Sequence, residues 1–350
     1  MSKQLERWGF VLLATLVALI FTSFVLVLAG ASPVAAYWYI LKGSLGSWTK
    51  ISDVMVAWVP LLLATAGLLV TFAAGQWNIG VEGQIVLGAI FTTWVMRSLQ
   101  HTNTPAAIVL ILAFIAGAFG GAIWSAFAGI LKVYGGVNEI FGGLGLDFVA
   151  VALILWLIFG PWKRPGIGSM SGTEPFPHRL WLPTIHGTRL SLWALAIGLV
   201  SIGVVYFLLT GTYFGLKLKA VGRNPKAAYL MGIPTTKYLM GAFIISGIFA
   251  GLAGAVQVTA VYHRLIPAIS SGYGWLGLMV SMLINFQAAW AAPVTFFFAA
   301  LNIGSIQLPI MLKLDSSLSG VLQGALVLSF LLLEGARRRW VKRREEAKNE

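Results

Sequence analysis

The sequence predicts an all-α integral membrane protein, a polytopic helical bundle of about ten transmembrane helices arranged as inverted five-helix repeats. Composition predicts the membrane class, because 58% of the 350 residues are hydrophobic, only 10% are charged, and mean hydropathy is +0.86. A soluble domain carries about 25% charged residues, so this chain cannot cover a water-facing surface. Long apolar runs predict the helices, and a short echo between two halves of the chain predicts the repeats.

Ten apolar segments approach the about 20 residues that a helix needs to cross a bilayer. In chain order they are 8–29, 54–74, 79–97, 105–131, 143–160, 190–210, 237–258, 274–288, 291–311 and 318–335. The first run is longer than the ~7–15 apolar residues of a signal peptide, so we expect a retained helix.

Residues 1–350 are expected to form a single transmembrane domain, with an external loop at 161–189, a cytoplasmic loop at 211–237 and a basic cytoplasmic tail at 336–350. Lys and Arg resist translocation, and they are concentrated in the last two of these regions. We therefore expect both termini to be cytoplasmic. The net charge of +13 is explained by this topology and by anionic lipid, and no nucleic-acid partner is expected.

Prolines and glycines interrupt the loop at 161–189 and argue against a long helix there. We expect this loop to form either a solvated cap over the bundle or a binding surface for an external protein.

Two segments carry small residues at every fourth position, which lets the backbones of lipid-embedded helices approach closely. We predict packing faces on both. They comprise Ala113, Gly117, Gly121, Ser125 and Gly129 in the first, and Gly247, Gly251 and Ala255 in the second.

The internal echo consists of two Gly-rich, Trp-bearing segments, 75–84 and 271–277, five spans apart. Such interruptions at matching positions indicate inverted repeats around a central site.

Glu82 and Asp147 are acidic residues within apolar spans, where an ionisable group suggests function. Glu82 either interacts with a helix dipole or lines a path or gate. Asp147 is either a satisfied carboxylate at the inner interface or part of that path. Uncharged polar residues in the spans either hydrogen-bond a neutral solute or join helices.

Signals for an enzyme are absent from the sequence. No Gly-Lys pair occurs, so there is no Walker A loop and this chain cannot itself be an ATPase. There is no His-x-x-x-His spacing and no cysteine, so we expect neither catalytic residues nor a metal site.

A short capped helix is predicted at Asn224–Gly232, within the basic loop, with an early proline and a late glycine. Such a structured loop element suits docking to a soluble partner.

Several motifs resemble one known family, in the right order over most of the chain. They are Trp77-Asn-Ile-Gly-Val-Glu-Gly-Gln84, Gly136-Val-Asn-Glu-Ile140, Gly160-Pro-Trp-Lys-Arg-Pro-Gly166, Val221-Gly-Arg-Asn-Pro-Lys-Ala-Ala-Tyr-Leu-Met-Gly-Ile233 and Gly272-Tyr-Gly-Trp275. The chain thereby resembles permease subunits of bacterial ABC importers, in the simple-sugar and nucleoside branch of the branched-chain amino acid and ribose-type permease family.

The resemblance implies a multi-pass subunit of the bacterial cytoplasmic membrane that imports a small polar solute, a nucleoside before a simple sugar. It implies a homo- or heterodimer of permeases, an extracytoplasmic solute-binding protein and cytoplasmic ATPase subunits that bind ATP and Mg²⁺, with no cofactor in this chain. The ATPase-coupling residues would be Arg223, Asn224, Pro225, Lys226, Ala227, Ala228, Gly232 and Ile233. Candidates for the translocation path or gate are Asn78, Glu82, Gln84, Asn138, Glu139, Asp147, Gln257 and Asn285.

Two departures bear on the solute. Asp147 stands where the family pattern has Asn, and Asn285-Phe-Gln-Ala-Ala-Trp290 replaces a glycine-containing turn. The alternatives are a secondary transporter, which needs an ion site or proton relay at the midplane, and a membrane-embedded enzyme, which needs clustered reactive groups.

Overall fold

The computed structural model describes residues 16–166, 172–315 and 318–346. Within these ranges all regular secondary structure is helical, which confirms the all-α class. The chain divides into two compact units, one of residues 1–54 and 297–350 and the other of residues 55–296. Each unit is described by itself.

Fourteen α-helices lie in the described residues. They are α1 (Leu16–Leu28), α2 (Pro33–Leu45), α3 (Trp48–Ala73), α4 (Val81–Leu99), α5 (Ala106–Val133), α6 (Glu139–Phe159), α7 (Leu192–Gly211), α8 (Tyr213–Arg223), α9 (Pro225–Leu230), α10 (Thr235–Val256), α11 (Tyr273–Leu283), α12 (Ala291–Ser305), α13 (Gln307–Leu312) and α14 (Leu318–Glu346). A π-helical turn, Gln257–Tyr262, extends α10, and 3₁₀ turns lie at His178–Leu180 and Ala288–Trp290.

Six helical stretches of the described chain are long and apolar enough to cross a bilayer, or seven if α1 and α2 form one span bent by 107°. They are Trp48–Ala73, Ala106–Val133, Glu139–Phe159, Leu192–Gly211, Thr235–Tyr262 and Ala288–Leu312. The prediction of a polytopic bundle is confirmed, whereas the count of about ten is not. The predicted eighth span corresponds to α11, whose 11 residues would extend only about 17 Å.

The unit formed by the two ends of the chain contains α2, which the sequence reading did not anticipate. Pro33 supplies the fixed φ that suits the first turn of a helix. Gly304 lies against this helix so closely that a Cβ there would be 2.3 Å from the carbonyl oxygen of Ile40. The apolar core of the unit comprises Leu26, Ala36, Ile40, Leu308 and Leu322.

The unit of residues 55–296 is built around α4, α5 and α10, and α5 meets α10 along the predicted small-residue faces. A Cβ on Gly251 would lie 2.1 Å from the carbonyl oxygen of Gly117, and one on Gly121 would lie 2.2 Å from that of Gly247. No side chain larger than hydrogen fits at these crossings. The predicted packing faces are confirmed, and we call this contact the glycine seam.

The described part of the loop 161–189 has the 3₁₀ turn His178–Leu180 as its helical element, as the prolines predict. Backbone hydrogen bonds tie it to the segment after α10: Leu182 N–H donates to Thr259 O at 3.1 Å, and Thr173 N–H to Leu265 O at 2.9 Å. The loop is therefore an ordered element packed on the end of α10, while its residues 167–171 lie outside the described ranges.

Candidate functional site

A group of buried polar side chains surrounds the first turn of α4. Asn78, in the turn before this helix, exchanges two hydrogen bonds with Gln84, at 2.9 Å and 2.7 Å. The amide nitrogen of Asn78 also donates to Ser246 Oγ on α10 at 2.9 Å. These contacts fasten the 75–80 turn to both helices, and with Glu82 and Asp147 the three residues form what we call the polar network.

Glu82 lies on α4, but its carboxylate reaches a different helix. Trp275 N–H, in the first turn of α11, donates to Glu82 Oε1 at 3.3 Å. The two helices approach closely at Gly274, where a Cβ would lie 3.1 Å from the Glu82 carboxyl carbon. A carboxylate at a helix N-terminus is favoured by the unpaired N–H groups and the helix dipole.

Asp147, on α6, makes the equivalent contact with the N-terminus of α4. Its Oδ1 accepts a 2.7 Å hydrogen bond from Gly83 N–H, in the first turn of α4. Both segments of the sequence echo thus contain a helix N-terminus whose backbone N–H donates to a buried carboxylate of another helix. Glu82 itself lies in the first turn of α4, and its carboxylate also contacts the N-terminus of α11.

Among the described residues, Glu82 Oε2, Asp147 Oδ2 and Trp124 Nε1 are buried atoms without a hydrogen-bond partner. The Ser270 hydroxyl lies near the Glu82 carboxylate, without the geometry of a hydrogen bond to Oε2. Gly83 separates Asp147 Oδ1 and Trp124 Nε1, which would lie 2.8 Å and 2.9 Å from a Cβ at that position. Buried polar atoms almost always pair, so this region retains two acceptors and one donor for a further hydrogen-bonding group.

Gln257 begins the π-helical turn, and its side chain contacts the residues on either side of Ser270. Its side-chain amide donates to Ile269 O at 3.0 Å and to Ser271 Oγ at 3.3 Å. Gln257 therefore joins the end of α10 to the segment that precedes α11. This is a helix-joining contact of the kind weighed from the sequence.

The remaining path candidates lie at the start of α6 and after α11. Asn138 is the N-cap of α6, where its side chain accepts from Ile140 N–H at 2.9 Å. Glu139 forms an ion pair with Lys132 at 2.6 Å. Asn285 follows α11 in the left-handed region, with φ 49°, which Asn tolerates better than most residues. The structure brings together four of the eight candidates, Asn78, Glu82, Gln84 and Asp147.

The predicted short helix of the basic loop is α9, and its ends are as expected. Asn224 is the N-cap and accepts from Ala227 N–H at 3.0 Å, and Pro225 is the first helical residue. Gly232, with φ 79°, adopts the left-handed conformation that ends the helix. The sequence signals for this element are therefore confirmed.

Tyr229, Leu230 and Met231 are 69%, 85% and 82% exposed at the end of α9, and we call them the apolar tip. Ala228, in contrast, is only 3% exposed and packs within this chain. Three neighbouring apolar side chains exposed at the end of a capped helix form a candidate interaction surface.

Sequence reasoning missed Trp124 and Ser246, and its list of coupling residues omitted the three residues of the apolar tip. Ser246 and Trp124 each adjoin a small-residue stripe, and this was the available signal, since a residue beside a packing face lies close to the facing helix. The apolar tip is continuous in sequence with the predicted coupling residues, but which side of so short a helix faces outward depends on how α8 packs.

Comparison with known proteins places these elements in a family. The model of the family described as branched-chain amino acid transport system / permease component matches residues 50–331. The glucose ABC transporter permease protein TsgB13 of Haloferax volcanii is 30% identical over 93% of this chain and 87% of its own length. The guanosine ABC transporter permease protein NupP of Bacillus subtilis is 26% identical over 94% of each chain. The nucleoside ABC transporter permease protein NupB of Lactococcus lactis is 24% identical over 84% of this chain and 82% of its own.

Proposed function

The chain belongs to the family of branched-chain amino acid transport system permease components, and on this premise we propose that it is the transmembrane permease subunit of an ATP-driven importer of nucleosides. Its similar proteins are permease subunits, which are transport components rather than enzymes. The observation that carries the proposal is α9, a capped helix of six residues that ends in the exposed apolar tip.

The apolar tip is the surface that we assign to ATPase docking. An amphipathic helix placed in an apolar groove is a recurring mode of recognition, and its anchors are large exposed side chains. Leu230 and Met231 are such anchors, while Arg223, Asn224, Pro225 and Lys226 are exposed around the start of α9. Three other predicted coupling residues shape α9. Ala228 is buried, and its carbonyl oxygen accepts from Ile233 N–H at 3.0 Å. Gly232 supplies the left-handed residue that ends the helix.

The remaining parts of the machine are proposed partners. ATP and Mg²⁺ would bind to cytoplasmic ATPase subunits, a second permease would complete the membrane pair, and an external binding protein would deliver the solute. The basic residues of α8 and α9 favour a cytoplasmic location for this loop. With an even number of crossings, both termini would lie on the same side.

The solute is proposed from motif and chemistry together. The motif Trp77–Gln84 favours a nucleoside as the solute, and similarity to NupP and NupB supports this choice. Glucose or another simple sugar is the second candidate, because TsgB13 is 30% identical. Both solutes present neutral hydroxyl groups, which suit a site with carboxylate acceptors and an indole donor.

For the translocation path we propose Glu82, Asp147 and Trp124. Each carboxylate uses one oxygen to hold a helix N-terminus and keeps the other without a protein partner. A solute hydroxyl could donate to these oxygens once the helices around α4 separate. The side chains of Asn78 and Gln84 hydrogen-bond each other, and this pair would hold the 75–80 turn against α4 while the path is closed.

The proposed function is tested with the complete importer reconstituted in lipid vesicles. We expect guanosine to enter only with ATP and with the binding protein present, and to outcompete glucose. Uptake should persist when an ionophore removes ion gradients. Uptake that stops with the gradient and needs no ATP would establish a secondary transporter instead, and preference for glucose would establish the sugar alternative.

A further inference from the structure

A contact between two stretches of bare backbone connects α8 to the turn that precedes the polar network. Gly222 lies near the end of α8, and a Cβ there would be 2.3 Å from Ala73 O and 2.9 Å from Gly75 N. The contact is mutual, because a Cβ on Gly75 would be 2.8 Å from Gly222 O. Gly75 also has φ 69°, which disfavours any other residue. We call this contact the glycine joint.

On one side of the glycine joint, α8 and α9 are held as one body. Asn224 N–H donates to Ala220 O of α8 at 3.2 Å, and the carbonyl oxygen of Asn224 accepts from Ala228 N–H of α9 at 3.0 Å. The side chains of Leu218 and Val221 on α8 are fully buried. A force on the apolar tip therefore moves the end of α8 rather than bending a loose linker.

On the other side, the 75–80 turn leads directly into the polar network. The turn begins with a 2.9 Å hydrogen bond from Gln76 N–H to Thr71 O, which ties it to the end of α3. Two residues later Asn78 is bonded to Gln84 of α4 and Ser246 of α10. Interiors packed at this density transmit displacement instead of absorbing it.

We propose that the glycine joint transmits movement of α9 to the polar network, with Gly75 and Gly222 as positioning residues of transport. The proposal rests on the proposed function, since it requires an ATPase that moves α9. At the joint no side chain stands between the two backbones, so the turn follows α8 without a compressible layer. An added methyl group at Gly222 would push α8 away from the turn.

The test compares Gly222→Ala with Gly203→Ala in the reconstituted importer, scoring guanosine transported per ATP hydrolysed. Gly203 lies on α7 with no heavy atom within 4 Å of its Cβ position, so it controls for a methyl group added to a helix. We expect Gly222→Ala to keep its ATPase activity while transport per ATP falls about tenfold or more, within the usual range of coupling between sites. Unchanged transport per ATP would overturn the proposal. Absence of ATP-driven uptake in the unmodified importer would overturn the proposed function, and the joint with it.

A second measurement applies even if Gly222→Ala does not assemble. Trp77→Cys with Arg223→Cys places one thiol two residues from Gly75 and another beside Gly222. Because the chain contains no cysteine, a short thiol cross-linker would react with this pair alone. Because the joint moves as one unit, the bridged importer should retain the transport per ATP of the same double variant before bridging. If bridging abolishes transport and cleavage of the linker restores it, the two segments must separate during the transport cycle, which would contradict the proposal.

Discussion

The glycine seam and the glycine joint both place backbone against backbone, but their surroundings differ. The seam runs along two long helices, α5 and α10, with small residues repeated every four positions on each. The joint is one contact beside α8 and α9, where large apolar side chains are exposed. The comparison teaches that close approach serves two purposes here. The repeated contact fixes helices relative to each other, and the single contact connects the proposed docking helix to buried polar groups.

The largest effect is expected at the seam. Gly251→Leu would force a side chain into a position where even Cβ lies 2.1 Å from Gly117 O. Overpacking of this kind costs about 3 kcal/mol or more, so we expect loss of folded protein. The measurement is the thermal midpoint and size profile of the purified permease in detergent, with Gly203→Leu as the matched control. A monodisperse Gly251→Leu protein with an unchanged midpoint would remove the distinction between seam and joint.

The seam also shows how far the sequence predicts this fold. Gly117, Gly121, Gly247 and Gly251 identify packing faces from their spacing, since period four marks one side of a helix. That spacing does not say which faces meet, because the pairing of helices depends on contacts distant in sequence. The bend between α1 and α2 was missed because both helices are apolar. Hydrophobicity identifies each helix but does not give the angle between consecutive helices.

The next effect sharpens the contrast between packing and transport in the polar network. Asp147→Asn keeps an oxygen for the Gly83 N–H bond but replaces an unpartnered carboxylate oxygen with a donor. We expect the thermal midpoint to change little, while guanosine uptake falls about tenfold, equal to about 1.4 kcal/mol of lost interaction. The control is Glu174→Gln, because this carboxylate is exposed in the loop 161–189. Unchanged uptake in Asp147→Asn would mean that Asp147 only joins helices, as the seam does.

The polar network was partly predictable. Glu82 and Asp147 were recognised because an ionisable group in an apolar span suggests function, and Asn78 and Gln84 because they are uncharged polar residues in such a span. Their partners were not predictable, since Trp275 contributes through its backbone N–H, which every residue except proline has. The candidates Asn138 and Glu139 lie in the preceding turn and first residue of α6, where capping and an ion pair account for them.

The smallest effect concerns the loop packed on the end of α10, where His263 stacks on Trp181 at 3.7 Å between ring centroids. Burial, followed by the nearby Arg189 and His178 charges, lowers the pKa of His263 to about 4. The neutral form is favoured in the fold, so its stabilising contribution is complete above about pH 6.5 and is lost as pH falls towards 4.

We therefore expect the thermal midpoint to fall between pH 7.5 and pH 5, and His263→Gln to reduce that fall by a few degrees. His186→Gln is the control, because this histidine is exposed in the loop 161–189, which contains Trp181. Equal pH dependence in the two variants would refute the role given to His263.

The central claim, that energy reaches this permease through α9, is tested most directly at Leu230. Its side chain is 85% exposed, so Leu230→Glu should leave the thermal midpoint of the permease unchanged. Burial of a leucine in a partner groove contributes about 1.5–3 kcal/mol, so we predict at least about a tenfold loss of affinity for the ATPase subunits, together with loss of ATP-driven uptake. Thr236→Glu, at an exposed position in the first turn of α10, adds the same charge beside α9 and should retain both. Normal ATPase binding and normal uptake in Leu230→Glu would contradict the account.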